Sequence, residues 1–313
     1  MEKKLLITIG FSCNNNCIIC SNRGRNYTDK STLEIKELLR QNKDIYNAVE
    51  LTGGEPTIRK DIFSLMRAAR DFGFKRIEIS SNLRLFSYKK FAEKAVDCGL
   101  KSVTTTIFGP ESIHNATTRT PNSFNQTIDG YNNLKELGVT TSINTVISNT
   151  NVDKIEENRD IILGLDPISI MLLDLIPDGF GRDNYKILAV RVGKLSKALN
   201  KFFSNSHNFP YTTVYDYPFC VVPQKIRESN NINVKNIVDR EGEGDISAEN
   251  VGYGDMKRTK KTKKGYTDYH KVKVFACKLC KFKKKCPGFW EDYIIFFGEE
   301  EIKNIAIKNN CLV

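Results

Sequence analysis

The sequence predicts an α/β protein: a partial barrel of six parallel strands, (β/α)6, followed by a small irregular module. Three observations carry this. Short β-branched runs alternate with helical patterns over residues 1–175, the alternation stops after Asp174, and most of the cysteines gather at two places. Strands joined by helices of this length pair in parallel through right-handed crossovers, which excludes an antiparallel sheet.

The strand candidates are Leu5 to Ile9, Ala48 to Thr52, Arg76 to Ser80, Ser102 to Ile107, Thr140 to Ile147 and Pro167 to Leu172; each is short and rich in branched residues. Helical patterns lie between them, at about Thr32 to Ile45, Asp61 to Phe72, Tyr88 to Cys98, Phe124 to Leu137 and Val152 to Gly164. Ser31 or Thr32 and Asn151 are plausible N-caps, and Gly73, Gly99 and Gly138 are plausible stops. In such barrels the chemistry sits at the C-terminal ends of the strands.

Residues 176–313 read as the second module. A loop with Pro177, Gly179 and Gly181 leads to a helix near Val190 to Phe203, then an aromatic stretch, Tyr211 to Cys220, and a Gly/Glu/Asn-rich segment, Asp239 to Asp255. A basic segment at 257–285 follows.

The chain has 313 residues, 40% hydrophobic and 27% charged, which is ample apolar material for one large domain or two smaller ones and excludes disordered, collagenous and disulfide-scaffold classes. No apolar run approaches the roughly 18 residues of a membrane span. The N-terminal apolar stretch Leu5 to Phe11 breaks into Cys13 and three asparagines, where a signal peptide would show small residues, so a cytoplasmic protein is expected. The net charge of +11 is local: between Lys257 and Lys285 there are 13 Lys and Arg against Asp268 alone, and the rest of the chain is close to neutral.

Nine cysteines in a reducing compartment, clustered as these are, favour metal over disulfide. Cys13, Cys17 and Cys20 follow the first strand directly. Three thiolates at this spacing can hold three irons of a 4Fe–4S cluster and leave the fourth iron open for a substrate. The alternatives are a zinc site, which normally wants four protein ligands, and a buried cysteine cluster. Directly after the second strand stands Gly53-Gly54-Glu55-Pro56. Its glycines let backbone approach closely and adopt positive φ, and Glu55 offers an anionic acceptor; taken alone it is a common turn. The third strand ends in Ser80-Ser81-Asn82, polar groups able to bond ribose hydroxyls, though many such triplets merely end strands.

With its cysteines in C-x3-C-x2-C and Gly53, Gly54, Glu55 and Pro56 one βα unit later, the chain resembles the radical S-adenosylmethionine superfamily over residues 5–172. The resemblance implies that a 4Fe–4S cluster on Cys13, Cys17 and Cys20 chelates S-adenosylmethionine through its open iron, and that one electron then releases a 5′-deoxyadenosyl radical. It further implies that Gly53, Gly54 and Glu55 bind the methionine amine, Ser80, Ser81 and Asn82 the ribose, and Arg119 the methionine carboxylate; Arg119 also reads as a solvated surface arginine. Ile19 departs from the pattern, since an aromatic residue usually precedes the third cysteine.

Cys277, Cys280 and Cys286 form C-x2-C-x5-C, and Cys220 completes a set of four, a site for a 4Fe–4S cluster or zinc between which spacing does not decide. The motif resembles the C-terminal modules called SPASM and twitch, which carry auxiliary clusters in radical enzymes. Trp290 stands where a full SPASM module has a further cysteine, so one auxiliary cluster is expected. Cys311 is the reserve ligand, and Cys98 reads as a small buried hydrophobe.

The resemblance implies an enzyme that modifies a peptide or protein side chain and draws electrons from a flavodoxin or ferredoxin type of donor. Small-molecule chemistry in cofactor or natural-product synthesis is the alternative. Nucleic-acid binding is a third reading, resting on the basic run and on Tyr253, Tyr266 and Tyr269, and is not favoured because charge runs are most often solvated loops. His114, beyond the fourth strand, reads as structural.

Overall fold

The computed structural model describes residues 3–23, 28–204, 208–235, 243–245 and 271–312. The expectations for Lys257 to Lys264 and for Tyr253, Tyr266 and Tyr269 lie outside the described residues.

The strands are β1 (Lys4–Gly10), β2 (Ala48–Gly53), β3 (Arg76–Ser80), β4 (Leu100–Thr106), β5 (Thr140–Val146), β6 (Ser169–Leu173), β7 (Tyr211–Tyr215), β8 (Ile232–Lys235) and β9 (Glu243–Asp245). They form one sheet in the order β8-β7-β6-β5-β4-β3-β2-β1-β9, every adjacent pair parallel. The helices are α1 (Thr32–Asn42), α2 (Ile62–Asp71), α3 (Lys89–Asp97), α4 (Glu111–Thr118), α5 (Ser123–Glu136), α6 (Ile155–Gly164), α7 (Gly179–Asp183), α8 (Tyr185–Leu188), α9 (Val192–Phe202) and α10 (Gln224–Arg227). A short antiparallel ribbon, β10 (Lys271–Val272) with β11 (Phe289–Trp290), precedes α11 (Glu291–Phe297) and α12 (Glu300–Lys308).

The parallel α/β sheet predicted from the alternation is present, but it does not stop at residue 175. β7 and β8 come from residues read as the second module. Tyr, Thr and Val are strand formers, yet β7 follows three helices and a Pro210 flank rather than a single crossover helix, so the alternating pattern that marks the first six strands is lost there.

Alternation along each strand explains the layers. Leu5, Ile7, Val49, Leu51, Ile77, Ile79, Val103, Ile143, Ile170 and Val214 are buried in one core with helix residues such as Ile35, Leu39, Leu65, Met66, Leu134 and Ile162. The intervening positions Lys4, Glu50 and Glu78 form a charged group, with Lys4 Nζ 2.8 Å from Glu50 and 3.4 Å from Glu78. α1 starts at Ser31 in a capping box: Ser31 Oγ accepts from the Glu34 amide at 3.2 Å, and Glu34 accepts from the Ser31 amide at 2.6 Å, worth about 1 kcal/mol. Asn151 does not cap a helix by its side chain; it accepts from the Ser148 amide and donates to the Val146 carbonyl, closing the turn beyond β5.

Candidate active site at the strand ends

The loop after β1 carries Cys13, Cys17 and Cys20 and is held from three sides. The Asn16 and Ile18 amides donate to the Thr118 and Thr117 carbonyls at 3.0 and 2.9 Å, which ties the loop to the end of α4. Arg84 donates to the Asn14 carbonyl at 2.6 Å and to Asn15 Oδ1 at 3.0 Å. Arg23 Nη2 donates to the carbonyls of Asn15 at 2.8 Å and Cys13 at 3.3 Å, while its Nε is buried without a partner among the described residues. Sequence reasoning missed Arg23 and Arg84, because a lone arginine in a loop carries no signal of its own.

All three thiols are half-buried. Burial pushes the Cys17 thiol up to about 12, with Cys20 and Cys13 adding to it. Burial also raises Cys13, with further contributions from Glu55 and Cys20. Three thiols that oppose one another's ionisation become thiolates when a cation binds among them. Among the described residues no three Cys, His, Asp or Glu side chains converge on a single-ion site. Three thiols leave one position of a tetrahedral zinc unfilled, whereas they match three irons of a 4Fe–4S cluster with the fourth left open.

Gly53 and Gly54 are dictated by backbone meeting backbone. A Cβ at Gly53 (φ +128°) would lie 2.1 Å from the Gly10 carbonyl oxygen, and one at Gly54 would lie 2.2 Å from that of Ser12. The Gly54 and Glu55 amides donate to those same two carbonyls, each at 2.8 Å. The turn is therefore stitched onto the cysteine loop, and Pro56 opens the short 3-10 turn that follows.

Glu55 is 2% exposed. Its Oε1 accepts from Thr57 N (3.1 Å), Thr57 Oγ1 (2.6 Å) and Ser81 Oγ (2.8 Å), and its Oε2 from the Asn82 amide (2.7 Å). Burial raises its pKa and the four donors work against that rise. Both oxygens are engaged, so Glu55 clamps the β2 turn to the end of β3. The polar triplet is similarly occupied: Ser80 Oγ donates to Glu50, Ser81 to Glu55, and Asn82 Nδ2 to Asn14 Oδ1 at 2.7 Å. Arg119 caps α4 in the left-handed region (φ +50°), exposed, one residue beyond the carbonyl that holds Asn16.

His114 is 1% exposed between the rings of Phe108 and Phe124, and burial lowers its pKa to about 4, so it stays neutral near pH 7. Cys98 is buried and accepts from Arg67 at 3.1 Å.

At the other end of the sheet Cys220 lies within electrostatic reach of four other cysteines, Cys311 among them. Burial raises Cys220 well above the ordinary thiol value, with Cys286, Cys311, Cys277 and Cys280 each adding to the rise. Cys311 is itself pushed up to about 11, chiefly by burial. Its carbonyl accepts the Lys281 amide at 2.9 Å, and Cys280 bridges Leu312 in antiparallel fashion. Cys220 is placed through Asn309, whose Nδ2 donates to the Cys220 carbonyl at 2.8 Å. Cys311 was expected only as a reserve ligand should Cys220 prove remote; it lies close enough to influence the ionisation of Cys220.

A buried polar group joins this site to the strand ends. Asp174 follows β6 and Asp216 follows β7. Lys271 Nζ lies 2.8 Å from Asp216 Oδ1 and 4.4 Å from the centroid of the Trp290 ring, and Trp290 Nε1 donates to Asp174 Oδ2 at 3.0 Å. Burial pushes the Asp174 carboxyl up to about 7, with Lys271 opposing the rise. Asp174, Tyr185 and Trp290 line a cavity of about 20 Å³, room for a single water.

Residues 7–162 match the Radical SAM superfamily. The chain belongs to the radical SAM superfamily. Among curated proteins it is similar to a "Probable GTP 3',8-cyclase" of Saccharolobus islandicus, 27% identical over 187 residues that cover 58% of this chain and 60% of that protein. The corresponding Sulfolobus acidocaldarius protein is 26% identical over 185 residues, covering 58% of each. The chain thus matches about three fifths of the length of these relatives. Among solved structures it resembles anSMEcpe with bound AdoMet (TM-score 0.54, 18% identity, 64% of this chain and 59% of that one). It also resembles Streptococcus suis SuiB bound to the precursor peptide SuiA (TM-score 0.53, 20% identity, 68% and 49%) and methylornithine synthase (TM-score 0.56, 16% identity, 83% and 78%). These likenesses are of fold. No helix among the described residues is long and apolar enough to cross a membrane.

Proposed function

We propose that the chain cleaves S-adenosylmethionine reductively and uses the resulting radical to abstract hydrogen from a peptide or protein side chain. The observation that carries the first half is the three-thiol loop stitched, backbone to backbone, onto the Gly53-Gly54 turn at the ends of β1 and β2. A 4Fe–4S cluster bound by Cys13, Cys17 and Cys20 supplies the electron and the open coordination position. The chain's own residues would position the cofactor: the 53–56 turn would hold the methionine amine, Ser80 to Asn82 the ribose, and Arg119 the carboxylate. Glu55 acts in this arrangement by holding the two loops together.

The peptide reading is supported by the second cysteine site, read as an auxiliary 4Fe–4S cluster in a C-terminal module of residues 176–313, and by the likeness to a fold solved with a precursor peptide. A small-molecule substrate is the second reading, favoured by the name of the curated relatives.

The test is anaerobic reconstitution followed by dithionite. Formation of 5′-deoxyadenosine is expected, and it should vanish when Cys13, Cys17 and Cys20 are changed to alanine; cleavage surviving in that variant would refute the radical assignment. Mass spectrometry of a candidate peptide and of GTP, each incubated with active enzyme, separates the two substrate classes.

A further inference from the structure

The loop of the second cysteine site presents a charged surface that its thiols alone do not account for. Lys273, Lys278, Lys281, Lys283, Lys284 and Lys285 are all exposed on or beside the loop that carries Cys277, Cys280 and Cys286. No acidic residue occurs between Lys271 and Trp290, and among the described residues none of the six pairs with a carboxylate. Two of them also serve the loop's own fold: Lys273 Nζ donates to the Lys283 carbonyl at 2.6 Å, and Lys283 Nζ to that of Lys278 at 3.4 Å. Among the described residues, Lys278, Lys281, Lys284 and Lys285 have no such bond. Within this collar sit two large apolar side chains, Phe275 at 68% and Leu279 at 54% exposure. Lys278 Nζ lies 5.0 Å from the Phe275 ring centroid, and Glu299, which accepts the Phe275 amide at 3.1 Å, marks the edge of the patch. Cys277 and Cys280 are half-buried beneath it.

We propose that this lysine collar docks a small acidic one-electron carrier, of the flavin or iron–sulfur kind, over the second cysteine site. The inference rests on the auxiliary cluster proposed above. Six ammonium groups with no carboxylate partner among the described residues select an anionic partner and steer its approach. An apolar pair at the centre provides a small desolvated contact, in keeping with the limited interfaces of electron-transfer encounters. The location selects the chemistry: thiols that reach the surface bring a redox centre within reach of the partner, which an acidic peptide or a nucleic acid would not use. In the exchange the reduced carrier loses one electron and the cysteine-bound centre gains it, with no bond or proton transferred.

The experiment uses reconstituted protein whose iron has first been counted. An acidic flavodoxin is titrated by calorimetry at several salt concentrations, and stopped-flow spectra follow oxidation of its reduced form on mixing. Affinity should fall steeply with salt. The variant Lys278→Glu/Lys281→Glu/Lys284→Glu/Lys285→Glu should retain its iron and bind at least about tenfold more weakly at low salt. Phe275→Ala/Leu279→Ala should weaken binding while leaving the salt slope intact. Eight irons with binding that is independent of salt, or unaltered by the four reversals, overturns the docking surface and leaves the cluster reading standing. Four irons overturns the cluster reading itself. Tighter binding of single-stranded oligodeoxythymidine than of flavodoxin, lost in the same variant, would reassign the collar to nucleic acid and overturn the proposal.

Discussion

The indole N–H of Trp290 donates to Asp174 Oδ2 at 3.0 Å, so the residue standing where a further cysteine was expected binds the end of β6 instead of a metal. The ammonium of Lys271 packs over the same ring and pairs with Asp216 after β7. One buried polar group thus fastens the cysteine-bearing segment to two adjacent strand ends. Removing either half of such a pair leaves a buried charge uncompensated.

Trp290 is the chain's single tryptophan, so its fluorescence reads this group directly. With the Asp174 carboxyl raised to about 7 in the fold and near 3.9 when unfolded, the folded state binds the extra proton between those values. Stability contributed by this group is present in full below about pH 4 and is lost as pH rises through about 7. The emission should titrate with a midpoint near 7 in the native protein, and Asp174→Asn should abolish that titration. The wild-type melting temperature should fall relative to the variant between pH 5 and pH 8. Parallel pH curves for the two proteins would disprove the assignment.

Gly54→Ala places a methyl group where the Ser12 carbonyl oxygen now lies, 2.2 Å away. The loop must move, because backbone on both sides cannot rotate away as a side chain would. Iron at the first site should be lost while iron at the second is retained, giving about four irons per chain after reconstitution. A full complement of iron in this variant would show that the close approach is dispensable.

Glu55→Gln replaces an acceptor of four hydrogen bonds by a group with one oxygen and two N–H donors. Hydrogen bonds to a charged group contribute about 1.5–3 kcal/mol each. A lowered melting temperature is expected, together with S-adenosylmethionine binding weaker by about one to two decades. Weaker binding at an unchanged melting temperature would move Glu55 from clamp to direct ligand.

For the second site, an iron–sulfur cluster predicts about eight irons in the reconstituted protein and about four in the Cys13/Cys17/Cys20 alanine variant. Zinc predicts about four irons and one zinc, and a colourless triple variant. Both Cys220 and Cys311 are candidates for the fourth ligand, so Cys220→Ala and Cys311→Ala decide it: the one whose loss lowers the iron count completes the shell, and the other should leave it unchanged.

Much of this architecture was legible before any coordinates. The ends of the first six strands all lie within two residues of their expected positions, because each is a short branched run closed by a polar turn. The first cysteine cluster, the Gly53-Gly54 turn and the polar triplet could be read because each is a local string at a strand end. The occupation of those groups could not. That Glu55 spends both oxygens on Thr57, Ser81 and Asn82, and that Ser80 turns to Glu50, depends on the registry of β2 against β3.

Local spacing of thiols and glycines is what the sequence by itself determined, since a metal-binding loop and a tight turn are properties of a few consecutive residues. Tertiary structure alone decided that β7 and β8 extend the sheet, that Cys311 joins Cys220, Cys277, Cys280 and Cys286, and that Lys271 and Trp290 close over Asp216 and Asp174. These contacts link residues far apart in the chain. They form because a parallel sheet brings successive strand ends side by side, where the buried charges must find partners.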